Sequence, residues 1–498
     1  MLPANRWLIL SAVMMAFTPV VVDMTILHIA VPSLTVALGA SGNEVLWIID
    51  IYALIMAGLL VPMGTLADRV GYRRILLIGL SIFGIASLAA AFSTSAMMLV
   101  ASRAVLGVGA SMIMPCVLAV IRTTFEDDGE RARALGIWSV VGMAGAAAGP
   151  LAGGILLEHF WWGSVFLVNI PILALVIPMA WFLLPRDGEV VAGDWKIGQA
   201  VLLVAGLILT VYGIKAAMKA GPDTASASVL ICGVAILTWF GRLQLSSRAP
   251  MLDLSLFLKP AISAGILMAF VASGALAGFE LVLAQELQYV LGMSPLDAGL
   301  FMLPLVAAAA VGGPLGGSLE QRFGLRPVAT FSMIGAAASL FGLASTGLTD
   351  KPLFTAGLLA TLGLCLGIGL LASSIAIMGN APPEKAGAAG ALESTGYELG
   401  GGLGITFFGV LVNSIYLSAV MRLDEKTASS GASIGEAMTA AQRLGGNDGE
   451  AIKAAARGAF TQAHGSVLMI TATMIALLAV AVFFALRGSN ADARRHGG

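Results

Sequence analysis

Long apolar segments recur along almost the whole of this 498-residue chain. A helix needs about 20 consecutive apolar residues to cross the ~30 Å hydrocarbon core of a bilayer. Only 11% of the residues are charged and 58% are hydrophobic, whereas soluble proteins average about 25% charged residues. The sequence therefore predicts an all-α polytopic membrane protein with fourteen spans, at approximately 9–35, 46–66, 75–93, 97–121, 134–156, 163–184, 198–218, 227–245, 262–289, 298–318, 327–347, 354–378, 387–413 and 465–486.

Basic residues in the connections predict the orientation. One set of alternate connections holds fourteen Lys or Arg residues, whereas the other set holds only Lys215, Lys219 and Lys351. Short loops rich in Lys and Arg remain on the cytoplasmic side, so we expect the first set there. With an even number of spans both termini then lie in the cytoplasm. The first span is longer than the apolar region of a signal peptide, so we expect it to stay in the mature protein.

Two connections repeat one another. "GTLADRVGYRR" at 64–74 and "GSLEQRFGLR" at 317–326 share Gly, Leu, Arg, Gly and Arg in register, at an offset of 253 residues. Both follow an apolar segment that contains Pro and Gly. Such parallel halves are typical of transporters, in which the substrate site lies between the halves near the middle of the membrane.

The repeat divides the chain into three predicted regions. We expect an N-terminal six-helix half at 1–190, two additional linking helices at 191–250, and a C-terminal six-helix half at 251–498. The last outer loop, about 414–464, is long and rich in Ala. We expect it to contain two short surface helices, near 433–444 and 449–462.

Several motifs carry a family resemblance. Residues 64–74 match the G-x-L-a-D-R-x-G-r-r signature of the major facilitator superfamily, and "GAAAGPLAGG" at 145–154 resembles the fifth-helix motif of its antiporters. "VDMTILHIAVP" at 22–32, "WIIDIYALIMAG" at 47–58 and "ALESTGYELG" at 391–400 resemble the fourteen-span drug:proton antiporters, a group that includes quaternary-ammonium and methyl viologen exporters. The resemblance extends from end to end. It implies the major facilitator fold, with two six-helix halves and two additional helices, in the bacterial cytoplasmic (inner) membrane.

The resemblance implies a conformational latch in the 64–74 loop. Its members would be Gly64, Asp68, Arg69 and Arg73, with ion pairs that break and re-form as the transporter changes which side is open. The alternative is a static basic cluster that only sets the topology.

The resemblance also implies a seal between the halves on the outer side. Gly149, Pro150, Gly153 and Gly154 leave one helix face without side chains, so another helix can approach closely. The alternative is an ordinary packing seam.

Acidic residues outnumber basic ones within the spans. Each ionised side chain at the bilayer centre costs about 2.5 to 3.5 kcal/mol, so such residues indicate function. Near pH 7 their protonated and ionised forms are close in free energy, and an arriving cation can expel a proton. We count one basic residue well inside, Arg103, against six acids: Asp23, Asp50, Glu280, Glu286, Glu393 and Glu398.

The hypothesis assigns these groups to two tasks. Asp23 and Glu393 would bind the cation from opposite halves, with Tyr52 and Tyr397 offering aromatic faces. For proton coupling we expect Asp50, Glu398, Glu280 and Arg103.

Alternatives remain for several of these residues. Arg103 would simply neutralise one acid, Asp50 and Glu286 would reach water at the interface, Glu280 would bond Gln285, and His28 would be a packing histidine with its hydrogen bonds satisfied.

We therefore expect a proton-coupled multidrug efflux antiporter that acts as a monomer and exports lipophilic organic cations such as quaternary ammonium compounds, dyes, viologens and biguanides. Its partners would be these cations, protons and the lipid bilayer, with no nucleic acid, no metal and no cofactor beyond the proton gradient. An ATP-driven pump is disfavoured because G-x-x-x-x-G-K-[ST] is absent from the sequence. The alternatives are an exporter of an endogenous metabolite, antibiotic or siderophore, and a membrane-embedded enzyme.

Overall fold

The computed structural model describes residues 6–125, 127–184, 197–220, 223–247, 250–382, 385–423 and 431–487. A 3-10 turn at Leu254–Leu258 precedes α10, and a π-helical turn at Glu286–Val290 continues it. The α-helices of these ranges are α1 (Arg6–Leu38), α2 (Gly42–Val70), α3 (Tyr72–Ala91), α4 (Ala96–Thr124), α5 (Asp128–His159), α6 (Ser164–Leu167), α7 (Asn169–Leu183), α8 (Ile197–Ala220), α9 (Thr224–Ser246), α10 (Pro260–Gln285), α11 (Pro295–Phe323), α12 (Leu325–Ser345), α13 (Pro352–Met378), α14 (Ala386–Leu423), α15 (Ile434–Leu444) and α16 (Gly446–Ala485).

Fourteen helical segments within the described ranges are long and apolar enough to cross a membrane. Helices α6 and α7 together form one of them, and α10 with its π-helical turn forms another. The predicted all-α fold with fourteen spans is therefore confirmed. We call the side where α1 begins and α16 ends the terminal face, and the opposite side the far face.

Polar caps extend helices beyond the apolar windows that the sequence shows. Helix α2 begins at Gly42 because the Ser41 side chain accepts a hydrogen bond from the Glu44 N–H while Glu44 bonds back to Ser41. Asp127 caps α5 in the same way, by accepting from the Glu130 N–H. The helices thus continue past the hydrocarbon region into the polar surface layers.

The repeat predicted from the two loops is confirmed by their backbones. Gly71 has a φ of 105° and its N–H bonds the Ala67 carbonyl at 2.9 Å. Gly324, 253 residues later, has a φ of 83° and bonds the Glu320 carbonyl at 2.7 Å. Positive φ is accessible to glycine at little cost, which explains why glycine recurs at this turn.

The predicted loop near the end of the chain is mostly helical. Helix α14 runs on to Leu423, and α15 forms close to the first predicted surface helix, while 424–430 lie outside the described residues. The expectation of a separate helix at 449–462 is wrong, because these residues form the first part of α16. Gly445 and Gly446 take positive φ and set the break before α16, and no proline interrupts the residues that follow. The predicted boundary between 190 and 191 also lies outside the described ranges.

The helices pack into two large apolar clusters. One is built mainly from α1 to α5 with α6 and α7, and the other mainly from α10 to α16. We call these groups of helices the N-terminal and C-terminal halves. Helix α8 packs on α2 and α14, where a third, smaller cluster includes Leu203 and Leu207.

Close backbone contacts join the halves toward the far face. A Cβ added to Gly154 of α5 would lie 2.8 Å from the Leu296 Cα of α11, and one added to Gly299 would lie 2.7 Å from the Pro150 carbonyl oxygen. On the opposite side of the interface, Gly409 of α14 packs directly on Leu46 of α2. These contacts leave the space between the halves enclosed on the far side.

Candidate functional site

A cavity of about 450 Å³ lies between the two halves. Four helices of each half line it, namely α1, α2, α4 and α5, and α10, α11, α13 and α14. Its lining residues on α1 run from Phe17 to His28, around the middle of that 33-residue helix. The volume falls within the range of about 300 to 1,000 Å³ that small-molecule sites occupy.

Three glutamates reach the wall of this cavity, and all three come from the C-terminal half. They are Glu280 on α10 and Glu393 and Glu398 on α14. Tyr397 also lines it, with 39% of its surface exposed, and Tyr52 faces it from α2. With Arg103 of α4, which also lines the cavity, the structure thus brings together six of the residues predicted for cation binding and proton coupling.

Asp23 lies behind this wall, in a buried ion pair. Its Oδ2 accepts a hydrogen bond from Nη1 of Arg103, whose Nε donates to the Ile48 carbonyl at 3.0 Å. The Arg103 guanidinium also lies 4.4 Å from the centroid of the Tyr52 ring. Arg103 therefore pairs with Asp23, as one alternative expects, and its part in proton coupling stays a prediction. Asp23 does not line the cavity in this arrangement, and its direct contact with a cation also stays a prediction.

Asp50 is paired as well, with a lysine of the linking helix α8. The Lys215 Nζ lies 2.5 Å from Asp50 Oδ2, and the Thr406 hydroxyl of α14 donates to the same oxygen at 2.5 Å. Lys215 is only 4% exposed, and its Nζ lies 4.3 Å from the Trp47 ring centroid.

Two expectations about this pair are wrong. Arg103 is not the single basic residue inside the spans, because α8 carries Lys215 into the core rather than into a connection. Asp50 does not reach the interface either, since it is fully buried. The missed signal is a lysine placed inside a predicted apolar span, where an acid on a neighbouring helix compensates it better than distant water does.

His28 and Glu280 form a contact between the halves. The His28 Nδ1 lies 3.0 Å from Glu280 Oε2, and both side chains are buried. This distance is that of a hydrogen bond, and which atom donates depends on the tautomer of His28. The expected bond from Gln285 to Glu280 is therefore wrong, whereas His28 is buried and hydrogen-bonded, as the alternative of a packing histidine expects.

Glu286 is buried next to α16. The Thr461 hydroxyl donates to its Oε1 at 2.6 Å, and the His464 Nδ1 lies 3.6 Å from its Oε2. The alternative that placed Glu286 at the interface is wrong, since the side chain is almost wholly enclosed. Nothing in the local sequence connects it to residues so far along the chain.

The 64–74 loop lies at the terminal face. Asp68 accepts a hydrogen bond from the Tyr72 hydroxyl, and Arg73 donates to the Trp181 carbonyl with its guanidinium 5.1 Å from the Trp181 ring centroid. Arg69 is exposed, and Gly64 faces Pro115 of α4. These contacts all lie within the N-terminal half.

The glycines of α5 contact two different helices. A Cβ on Gly149 would lie 1.9 Å from Thr25 Oγ1, and one on Gly153 would lie 2.9 Å from the Ile26 side chain, both on α1. Gly154 instead faces α11, as does the Pro150 carbonyl. The predicted motif therefore packs α5 on α1 with one part and meets the other half with the rest.

One family model and several known proteins match most of the chain. The family model described as Major Facilitator Superfamily matches residues 13–405. The chain is 47% identical over 488 residues to the methyl viologen resistance protein SmvA of Salmonella typhimurium, covering 97% of this chain and 98% of that protein. It is 34% identical over 492 residues to the multidrug efflux pump LfrA of Mycolicibacterium smegmatis, covering 97% of each.

A solved structure shares the fold. The crystal structure of a bacterial homologue of the human lysosomal transporter Spinster has a TM-score of 0.70 with this chain at 19% identity, and the match covers 97% of each.

Proposed function

This chain belongs to the major facilitator superfamily, and we propose that it is a multidrug exporter that exchanges lipophilic organic cations for protons. Its family and its fourteen spans make it a multi-pass membrane transporter for small molecules, not an enzyme. The names of its relatives refer to methyl viologen resistance and multidrug efflux, which supports the proposal of cationic drugs as substrates.

One observation carries the proposal: three glutamates line the cavity without a permanently charged partner among the contacts of the described residues. Arg103 also lines it, but its charge is matched by Asp23. The wall is therefore negative whenever Glu280, Glu393 or Glu398 is ionised. An organic cation supplies the missing charge, while its apolar groups contact the largely apolar wall and the Tyr52 and Tyr397 rings.

The same glutamates support proton exchange. An ionised acid at the depth of the bilayer costs about 2.5 to 3.5 kcal/mol, and binding a proton removes that cost. A cation also removes it, so the cation and the proton compete for the same carboxylates. Glu393 and Glu398 take the leading part in this proposal. Asp23 and Asp50 hold Arg103 and Lys215 in place.

We further propose that the terminal face is cytoplasmic and that the protein acts as a monomer in the bacterial cytoplasmic (inner) membrane. The basic connections predict this orientation. Since the halves are joined toward the far face, a cation reaches the cavity from the cytoplasm in this arrangement. The proton gradient then supplies the driving force, and no cofactor is needed.

Replacement of Glu398 tests the proposal. In proteoliposomes with an imposed pH gradient, the wild type should accumulate tetraphenylphosphonium and methyl viologen but not a neutral analogue. Glu398→Gln should lower this uptake at least about tenfold, because losing one charge contact of about 1.4 kcal/mol has that effect. Glu450→Gln, which alters an exposed glutamate on α16, is the matched control and should keep wild-type uptake. Wild-type uptake that ignores the pH gradient would contradict the proposal.

A further inference from the structure

A second acid and histidine cluster lies outside the cavity, in the C-terminal half. Glu286 and His464 are both about 4% exposed, and Thr461 joins them through its 2.6 Å hydrogen bond to Glu286. Among the described residues, Glu286 Oε2 and His464 Nε2 have no hydrogen-bond partner. A carboxylate and an imidazole that are buried together with unused proton positions are unusual in a packed core, because unpaired buried polar atoms cost free energy.

The backbone changes its winding at Glu286. The helix passes from α-helical to π-helical over Glu286–Val290, and the Leu291 N–H bonds the Glu286 carbonyl at 3.0 Å. Single π-helical turns are rare and occur frequently at functional sites, where they redirect a side chain. Here the change of winding begins at the buried acid itself.

The cluster lies on the same helix as one residue of the cavity wall. Glu280 precedes Glu286 by six residues, a rise of about 9 Å. The His464 ring packs beside Phe279, the neighbour of Glu280 in the chain, with 6.4 Å between the ring centroids. Glu280 in turn contacts His28 at the cavity.

The cluster also lies near the far face. A small cavity of about 20 Å³ lies beside Gln285 and Tyr289, which flank Glu286, and it has room for one water molecule. Thr35 and Ser433 also line it, from α1 and from the segment before α15.

We propose that Glu286, Thr461 and His464 form a proton-exchange site that connects the far face to Glu280 and His28 at the cavity. Glu286 takes a proton from water on the far side, and His464 passes a proton on, because its two nitrogens bind and release protons at different positions. His464 accepts the proton of Glu286 at Nδ1 and releases its Nε2 proton toward the Glu280 and His28 pair, so that Glu286 returns to the carboxylate and can bind the next proton from the far side. This inference rests on the proposed proton exchange.

Charged groups on the neighbouring elements have other partners. Arg457 of α16 donates to the Tyr289 carbonyl at 3.1 Å, which places the nearest positive charge at the π-helical turn. Asp297 of α11 bonds Ser294, and Glu436 of α15 bonds the Gly42 and Ala432 N–H groups. Glu286 and His464 are left as the titratable pair of this cluster.

Two transport assays on the full chain test the inference. One measures accumulation of tetraphenylphosphonium driven by a pH gradient, and the other measures exchange of labelled for unlabelled tetraphenylphosphonium at equal pH, which needs no net proton movement. Glu286→Gln and His464→Gln should each lower the gradient-driven accumulation by about tenfold and flatten its pH profile, while exchange stays at the wild-type rate. Thr471→Val, at another buried position of α16, should change neither.

The outcomes separate the two proposals. Gradient-driven accumulation that is unchanged in both variants, in a wild type that responds to the gradient, overturns the proton-exchange site alone. Loss of exchange together with accumulation in both variants also overturns it, because that result shows a purely structural role. A wild type that exchanges the cation but ignores the gradient overturns the proposed function, and the proton-exchange site with it.

Discussion

The two halves of the molecule treat their buried acids differently. In the N-terminal half, Asp23 is paired with Arg103, and Asp50 is paired with Lys215 of the linking helix α8. In the C-terminal half, Glu280 and Glu286 lie next to histidines, and three acids, one of them Glu280, line the cavity wall. These four acids are Glu280, Glu286, Glu393 and Glu398.

The difference indicates a division of labour. Arginine keeps its charge at every physiological pH, and the carboxylates of Asp23 and Asp50 each contact one basic side chain, Arg103 or Lys215. Histidine changes its charge near neutral pH, and an acid at the wall of a cavity gains or loses its counter-charge as ligands come and go. In the proposed function, the N-terminal half holds its acids in ion pairs, and the C-terminal half supplies the acids and histidines that exchange protons and cations.

Removing Arg103 should cause the largest loss of stability, because it breaks the buried ion pair with Asp23. Arg103→Gln leaves Asp23 buried without its partner, and losing one member of a buried pair costs about 3 to 5 kcal/mol. Thermal unfolding of the detergent-purified protein measures the loss. The double variant Asp23→Asn, Arg103→Gln removes both charges and should recover part of it. An Arg103→Gln protein as stable as the wild type would show that this ion pair does not stabilise the N-terminal half.

Each half also contains a close contact between two helices that is made by a glycine. At these contacts the two halves should respond alike to substitution. Gly149 of α5 meets α1, and Gly404 of α14 meets α10, where an added Cβ would lie 2.3 Å from the Gly274 Cα. Substitution by alanine at Gly149 or Gly404 should each destabilise the protein by about 1 to 3 kcal/mol through overpacking. Gly136→Ala is the control on α5, since nothing lies within 4 Å of its added Cβ. Alanine favours a helix over glycine by about 1 kcal/mol, so Gly136→Ala should not destabilise the protein, and an equal loss there would contradict the role of the close helix contacts.

The spans and the repeat could be predicted from the sequence because both depend on local signals. Bilayer thickness sets the length of each apolar segment, and Gly71 and Gly324 specify the same turn in each half. Glu393 and Tyr397 are four residues apart and so share one helix face, and both line the cavity.

The pairing of the acids could not be predicted in this way. Lipid-facing and protein-facing residues are equally apolar, so the sequence does not show how far each helix is rotated about its axis. Asp23 consequently faces Arg103 rather than the cavity, although it lies at the expected depth. Lys215 and Asp50, or His28 and Glu280, are far apart in the chain and meet only through tertiary packing.

The C-terminal half does contain one Lys–Asp pair, at its exposed terminal face, and its effect should be the smallest. The Lys385 Nζ lies 2.7 Å from Asp253, and this hydrogen bond holds the pKa of the Asp253 carboxyl below its ordinary value. The pair therefore stabilises the fold above about pH 4 and loses its effect as the pH falls below that value.

Lys385→Gln should lower the free energy of unfolding by about 0.2 to 1 kcal/mol at pH 7, as is usual for a solvated pair. The difference from the wild type should shrink as melting is repeated at pH values falling below about 4, and it should disappear once the pH lies below the lowered pKa of Asp253, where the carboxyl is protonated in both proteins. Lys259→Gln is the matched control, since Lys259 donates to the Asn380 carbonyl, which does not titrate. Its effect should not change over the same pH range. The stability difference caused by Lys385→Gln would stay constant with pH if the Asp253 carboxylate were not the group that Lys385 stabilises. That result would contradict the treatment of this pair as an exposed counterpart of the buried ion pairs.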